Sequence, residues 1–261
     1  MGRVLEFHKY FPELGDEIWY FPRLKRTFPI LKKLIEVFPQ RANGRIIWAG
    51  VLTQAKGRFA RKWFASEGGL WIGISVYDEF FPETKGLIPL IFGLAIVKTL
   101  VEFGVERARV KWINDVHLNG RKLAGVLIEK FNEWFLIGIG INVNNSLPYG
   151  IPATSIKEVI GKEQPLPRVF DRLIKWIREY LGFLRYYERC LQEEKEVENI
   201  VINDFLRYSD TIGRCVYYAY DTEKDDGIIG IAEALTPLGS LVLKTKEDRI
   251  EVNSGEIIYL W

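Results

Sequence analysis

RKLAGVLIEK, Arg121 to Lys130, follows KWIND (Lys111 to Asp115) and precedes IGIGINVNN (Ile137 to Asn145). Between the first two stands Asn119-Gly120, a dipeptide that closes two-residue hairpins because both residues tolerate the left-handed backbone. ARVKWIND, RKLAGVLIEK and WFLIGIGINV are therefore expected as three strands separated by short turns.

Upstream, GLWIGISVY (Gly69 to Tyr77) and RIIWAGVL (Arg45 to Leu52) read as two further strands, the latter leading into the basic loop AKGRFARKW (Ala55 to Trp63). FPILKKLIEVF (Phe28 to Phe38) has helical spacing, with Pro29 suited to a first turn. The longest apolar run, Gly86 to Gly104, carries Lys98, Glu102 and an early proline, so it reads as a buried core helix and not a membrane span. Downstream, Leu166 to Leu191 is a long amphipathic helix, expected to continue to about Arg207. Beyond it GRCVYYAY, GIIGIAEAL, SLVLKT, RIEV and GEIIYLW alternate with DTEKDDG, TPLG and NSG, the spacing of a small all-β module. The expected fold is α/β (α+β): a mixed sheet flanked by helices over residues 1–206, then a small all-β module over 207–261.

With 261 residues, 48% hydrophobic and 14% aromatic, the chain can bury one substantial core and a small appendage. A net charge of +2 argues against a whole-molecule field for nucleic acid. Residues 1–70 nevertheless hold thirteen Lys/Arg against six Asp/Glu, which favours an anionic ligand there or a solvated basic face. Two cysteines, Cys190 and Cys215, and two histidines, His8 and His117, fit neither a disulfide framework nor a zinc site. Glu6, His8 and Lys9 interrupt any signal-peptide pattern, so a soluble cytoplasmic protein is expected. Abundant Ile, Lys, Glu and Arg beside a single Met hint at a thermophilic source.

The basic loop supplies Lys56, Arg58, Arg61 and Lys62, and Gly57 permits close backbone approach to an anion. It is neither a Walker A loop nor a GxGxxG turn, and alone it is equally a nucleic-acid patch. KWIND places a cation, an aromatic and two polar groups at a strand end, though by itself it is also an ordinary Asn-Asp turn. Lys122 opens an otherwise apolar strand, either snorkelling to solvent or held at a ligand. Asn142 and Asn144 are expected on one strand face, with Gly138 and Gly140 removing side chains beside them.

As an ordered set these segments resemble the biotin protein ligases. KWIND is similar to that family's Lys-Trp-Pro-Asn-Asp, RKLAGVLIE to Lys-Leu-Ala-Gly-Ile-Leu-x-Glu, and GIGINVN to Gly-Ile-Gly-x-Asn-Val-Asn. AKGRFARKW followed by GGLW is similar to Gly-Arg-Gly-Arg-x-Gly-Arg-x-Trp and its following Gly-Gly/Asn-Leu-Tyr, PATSIKEVIGK to an Ala-Thr-Ser-Leu segment, and the terminal module to the family's small C-terminal barrel, which implies an SH3-like barrel over 207–261. The resemblance covers about residues 18 to 261, without the DNA-binding domain of the repressor-type members.

It implies that biotin and ATP, with Mg²⁺, give biotinyl-5′-AMP, whose acyl group passes to a lysine of the biotin carboxyl carrier domain of a biotin-dependent carboxylase. Neither nucleic acid nor membrane is implied, and a homodimer is allowed. By the resemblance Lys122 and Arg58 are the catalytic cations. Biotin would be contacted by Thr27, Lys56, Gly57, Arg58, Trp63, Gly69, Lys122 and Gly125. ATP would be held by Lys56, Arg58, Arg61, Lys111, Asn114, Asp115 and Asn142, with Asp115 also toward the metal.

Departures from the pattern fall at the acid end. Arg26-Thr27-Phe28 stands where the family has Ser-Thr-Asn, and Leu52 replaces the loop-entry Gln unless a two-residue gap brings Gln54 there. Ala55 and Ala60 replace glycines, and Ile113 replaces a proline. Each polar group of an acid left unpaired in a buried site costs roughly 1–3 kcal/mol. A ligase of the same architecture for lipoate or octanoate, or a non-catalytic binding relative, are the alternatives these positions leave open.

Overall fold

The computed structural model describes residues 14–260; Glu6, His8, Lys9 and Trp261 lie outside them. Seven strands form one sheet: β1 (Ile18–Leu24), β2 (Ile46–Leu52), β3 (Leu70–Tyr77), β4 (Arg109–Lys111), β5 (Asp115–Leu118), β6 (Arg121–Phe131) and β7 (Trp134–Ile141). Their order is β1-β2-β3-β7-β6-β5-β4, with β1 parallel to β2 and every other pair antiparallel. The Asn119-Gly120 hairpin joins β5 to β6, both residues adopting positive φ (50° and 79°).

One face of the sheet is covered by helices. Helix α2 (Leu87–Glu102) buries twelve of its residues beneath the sheet, which is why its apolar character continues around the whole circumference. Helix α4 (Leu166–Gln192) packs on α2 through Val169, Leu173, Ile177, Leu181 and Leu184, a stripe at helical spacing. Although Pro82–Glu102 is long and apolar enough to cross a membrane, its burial identifies it as the core helix that the sequence led us to expect.

The other face is only half covered. Helix α1 (Phe28–Val37) lays Phe28, Leu31, Leu34 and Ile35 against Ile47 and Leu136. Beyond Phe28 the strands present glycine: Gly73 pairs with Gly138 across β3–β7, and Gly140 with Gly125 across β7–β6. That bare strip leaves depth above the sheet, and it is where the cavity lies.

Several expectations need correction. ARVKWIND is not one strand: β4 ends at Lys111, Trp112–Asn114 turn, and Asp115 opens β5. The turn is set from outside, because Trp112 N–H donates to Thr211 Oγ1 (3.1 Å) and its indole N–H to Gly239 O (3.4 Å). β1 escaped the sequence reading; it is an edge strand interrupted by Pro22, with alternate residues exposed. The long helix stops at Gln192, and a separate helix α5 (Ile200–Tyr208) starts where the Asn199 side chain accepts from Val201 N and Ile202 N. β7 ends at Ile141, so Asn142 and Asn144 lie on the following segment, which leads to the short helix α3 (Ile156–Ile160).

Past Tyr208 come β8 (Cys215–Ala219), β9 (Ile228–Leu235), β10 (Leu241–Lys244), β11 (Arg249–Val252) and β12 (Glu256–Tyr259), an antiparallel five-stranded sheet in the order β11-β10-β9-β8-β12. Val216, Ala232, Leu241, Leu243 and Ile257 join the main core, so the module is packed onto the seven-stranded sheet and its helices.

Polar contacts reinforce that docking. His117 Nε2 lies 2.9 Å from Asp210 Oδ1, Arg214 donates to Asp210 Oδ2 (2.8 Å), and Tyr259 donates its hydroxyl to Asp210 (3.1 Å). Burial opposes the Asp210 charge, but His117 and Arg214 outweigh it and bring the carboxyl down to about 2. A carboxylate lowered on folding contributes stability that is present above its unfolded pKa and lost as pH falls through its folded one. Asp210→Asn is therefore expected to cost about 1–2 kcal/mol near neutrality and to flatten the acid loss between about pH 4 and pH 2. Urea midpoints of both proteins across that range check this; parallel acid curves would refute it.

Candidate active site

A cavity of about 680 Å³ occupies the bare half of the sheet, roofed by the basic loop and closed on one side by the C-terminal module. Its two ends differ chemically. Phe28, Leu52, Trp71, Ile72, Leu127 and Ile139 make one end apolar, whereas Lys111, Asn114, Asp115, Lys122 and Asn142 gather at the other.

The glycines define the floor. A methyl group on Gly140 would stand 3.0 Å from the Trp63 indole, one on Gly125 3.3 Å from the same ring, and one on Gly138 3.3 Å from Phe28. Bare backbone thus seats both aromatics close to the strands. Thr27, although at the N-cap position of α1, makes no capping hydrogen bond, and its side chain lines the cavity where Gly73 leaves it room.

Lys122 is held by its backbone on both sides. Its N–H donates to Pro152 O (2.8 Å), and its carbonyl accepts from Thr154 N (2.9 Å). The ammonium donates to Asp115 Oδ2 (2.7 Å) and sits 5.2 Å from the centre of the Trp63 ring. Lys111 lies over the Tyr259 ring at 5.2 Å, and burial lowers its pKa while Asp115 opposes that shift. Two ammonium groups therefore converge on one carboxylate at the polar end, an arrangement suited to a polyanion.

The asparagines are anchors as much as walls. Asn114 donates through Nδ2 to Val126 O (2.8 Å), tying the Trp112–Asn114 turn to β6. Asn142 Oδ1 accepts from Asn145 Nδ2 (3.2 Å), and its Nδ2 reaches Lys122 O (3.4 Å). Asn144 exchanges two hydrogen bonds with the Gln164 backbone.

Of the residues expected at the site, Thr27, Lys56, Gly57, Arg58, Arg61, Trp63, Lys111, Asn114, Asp115, Lys122, Gly125 and Asn142 all border this cavity. Gly69 does not. A methyl group there would stand 2.0 Å from the buried Trp71 ring, so Gly69 makes room for Trp71 and offers no cavity surface. Arg61 meets a different arrangement from the one expected, since its guanidinium is engaged by carboxylates of the C-terminal module. Leu52 borders the cavity, whereas Gln54 is exposed and outside its lining.

His117, Glu256, Ile258 and Tyr259 complete the walls and were not anticipated. No local signal marked them, because three belong to a module whose docking is a tertiary event. Among the described residues, no group of three His, Cys, Asp or Glu comes together as a metal cage.

A seven-stranded mixed sheet carrying such a two-ended cavity, with a β module at its rim, has counterparts among known proteins. A solved biotin protein ligase from Aquifex aeolicus, in complex with biotin and ATP, superimposes with a TM-score of 0.78 at 26% identity, covering 93% of this chain and 98% of that one. A biotin–[acetyl-CoA-carboxylase] ligase from Mycobacterium tuberculosis is 27% identical over 225 residues, 84% of this chain and 80% of that protein. A bifunctional ligase/repressor from Bacillus subtilis is 29% identical over 154 residues, 53% of this chain, and the match spans only 47% of that relative's length. The biotin/lipoate A/B protein ligase family model matches residues 20–144, and that of the biotin protein ligase C-terminal domain matches residues 222–260. The chain belongs to this ligase family, among the members that carry the biotin protein ligase C-terminal domain.

Proposed function

We propose that the chain is a biotin protein ligase, activating biotin with ATP to biotinyl-5′-AMP and passing the acyl group to a lysine of a carboxylase carrier domain. The observation that carries this reading is the position of the Lys122–Asp115 pair, where an apolar slot opens onto a cationic end. An acid whose tail lies along Trp63 and the glycine floor would bring its carboxylate to Lys122.

In the first step a carboxylate oxygen attacks the α-phosphorus and pyrophosphate leaves. In the second a lysine amine attacks the acyl carbon, loses a proton, and AMP leaves. Both require anions to approach one another, and fixed cations in a partly enclosed site lower that barrier more than mobile ones. Lys122 would hold the carboxylate and the α-phosphate together, Lys111 and Lys56 would face the remaining phosphates, and Arg58 would close over the adenylate. Magnesium bound chiefly through phosphate oxygens needs only one or two protein carboxylates. Asp115 fits that need, and the ion when bound would neutralise phosphate charge. The free, buried Cys190 and Cys215 are compatible with a reducing cytoplasm.

A second reading, a ligase for a less polar acid, is favoured by one observation: Phe28 and Leu52 both line the acyl end. Mass spectrometry of the acyl-AMP formed from Mg-ATP with biotin, lipoate and octanoate in competition separates the two. Biotinyl-AMP as the main product is expected; lipoyl- or octanoyl-AMP would establish the second reading, and no adenylate at all would refute both.

A further inference from the structure

Arg61 projects from the basic loop and meets three carboxylates of the C-terminal module. Its Nη1 donates to both oxygens of Glu256 (2.9 and 2.8 Å), its Nη2 donates to Asp221, and its Nε lies 3.1 Å from Glu223. Glu256 is itself oriented by the Thr222 hydroxyl (2.9 Å). Asp221 is buried, with its side chain 5% exposed, so this is a built contact and not a chance surface pair.

The rest of the loop follows the same contact. Arg58 donates to Gly255 O at 2.6 Å, and Phe59 packs edge-on to Tyr220 with ring centres 5.4 Å apart. Both guanidinium groups flank the Phe59 ring, at 5.0 and 5.4 Å from its centre. Phe59 and Ala60 adopt φ of 53° and 61°, left-handed backbone that non-glycine residues rarely hold. Such conformations persist where surrounding contacts over-determine them. Here those contacts are supplied by the module.

We propose that Arg61 is a positioning residue rather than a phosphate ligand: Asp221, Glu223 and Glu256 anchor it, and the anchored loop presents Arg58 at the cavity before nucleotide arrives. Three carboxylates occupy the edges of this guanidinium from which a phosphate would be bound. The acidic turn DTEKDD thereby acquires a task in the reaction, on the reading that the cavity takes ATP.

The test is a full-length variant, Asp221→Asn with Glu223→Gln and Glu256→Gln, compared with wild type in two assays. Limited trypsin digestion without ligand should cut at Lys56, Arg58, Arg61 or Lys62 about tenfold faster in the variant. Salt should speed this cleavage in the wild type and not in the variant, because the ion pairs are screened. This assay needs no activity, so it stands even if the acid or the reaction is misassigned, and the wild-type salt response stands even if the variant folds poorly. Equal cleavage, or a wild type indifferent to salt, would overturn the proposal. In the second assay KM for ATP should rise about tenfold with a smaller change in kcat, because the loop is no longer preset. If Arg61 were instead a phosphate ligand restrained by carboxylates, freeing it would lower KM for ATP, and that result too would overturn it.

Discussion

Lys122→Ala is expected to reduce acyl-adenylate formation by about a hundred- to a thousandfold, the scale of removing a fixed charge or donor from developing transition-state charge. Stability should change by less than about 1 kcal/mol, because Lys122 and its partner Asp115 are both partly exposed and such pairs contribute little to folding. The backbone contacts with Pro152 and Thr154 that fix this segment are untouched by the substitution. Pyrophosphate release in the presence of biotin and Mg-ATP, with a thermal melt of the same sample, measures both quantities. Retained pyrophosphate release would remove Lys122 from the reaction; lost release accompanied by a large fall in melting temperature would mean that the side chain was structural.

The second large effect concerns packing. Gly69→Ala is expected to destabilise the protein by about 3 kcal/mol, the upper range for overpacking a core. A Cβ at that position would enter the Trp71 ring, which is buried and pinned by its indole N–H donating to Ser66 O (2.8 Å). The melting temperature should fall by roughly 6–12 °C for a chain of this size. If Gly69 served the acid directly, as family resemblance alone would have it, the same substitution would raise KM for the acid and leave the melt unchanged. The two roles are therefore separable in one pair of measurements.

What the sequence revealed and what it hid divide along physical lines. The Asn119-Gly120 hairpin, the buried helix over Leu87–Glu102 and the five short C-terminal strands were legible because each is fixed by local chemistry: turn residues, periodicity, apolar runs. Lys122, Asp115 and the basic loop were legible only as an ordered set, since each alone suits an ordinary surface. The turn at Trp112 was not legible, because a side chain and a carbonyl more than ninety residues away determine it. For the same reason Glu256 and Tyr259 could not be foreseen at the cavity wall: β12 reads as a plain barrel strand, and only docking turns its residues toward Lys111 and Arg61. The engagement of Arg61 by acid residues was hidden likewise, with 160 residues separating it from Asp221.

The paired glycines at 73, 138, 140 and 125 carry a consequence for redesign. A floor made of backbone is hard to recut, since even a methyl group placed on it crowds Trp63, Phe28 or Thr27. Freedom to accept a new acid therefore resides in the side chains of the apolar end, Phe28 and Leu52 among them. A library confined to those two positions would explore acid scope while the machinery beneath stayed fixed.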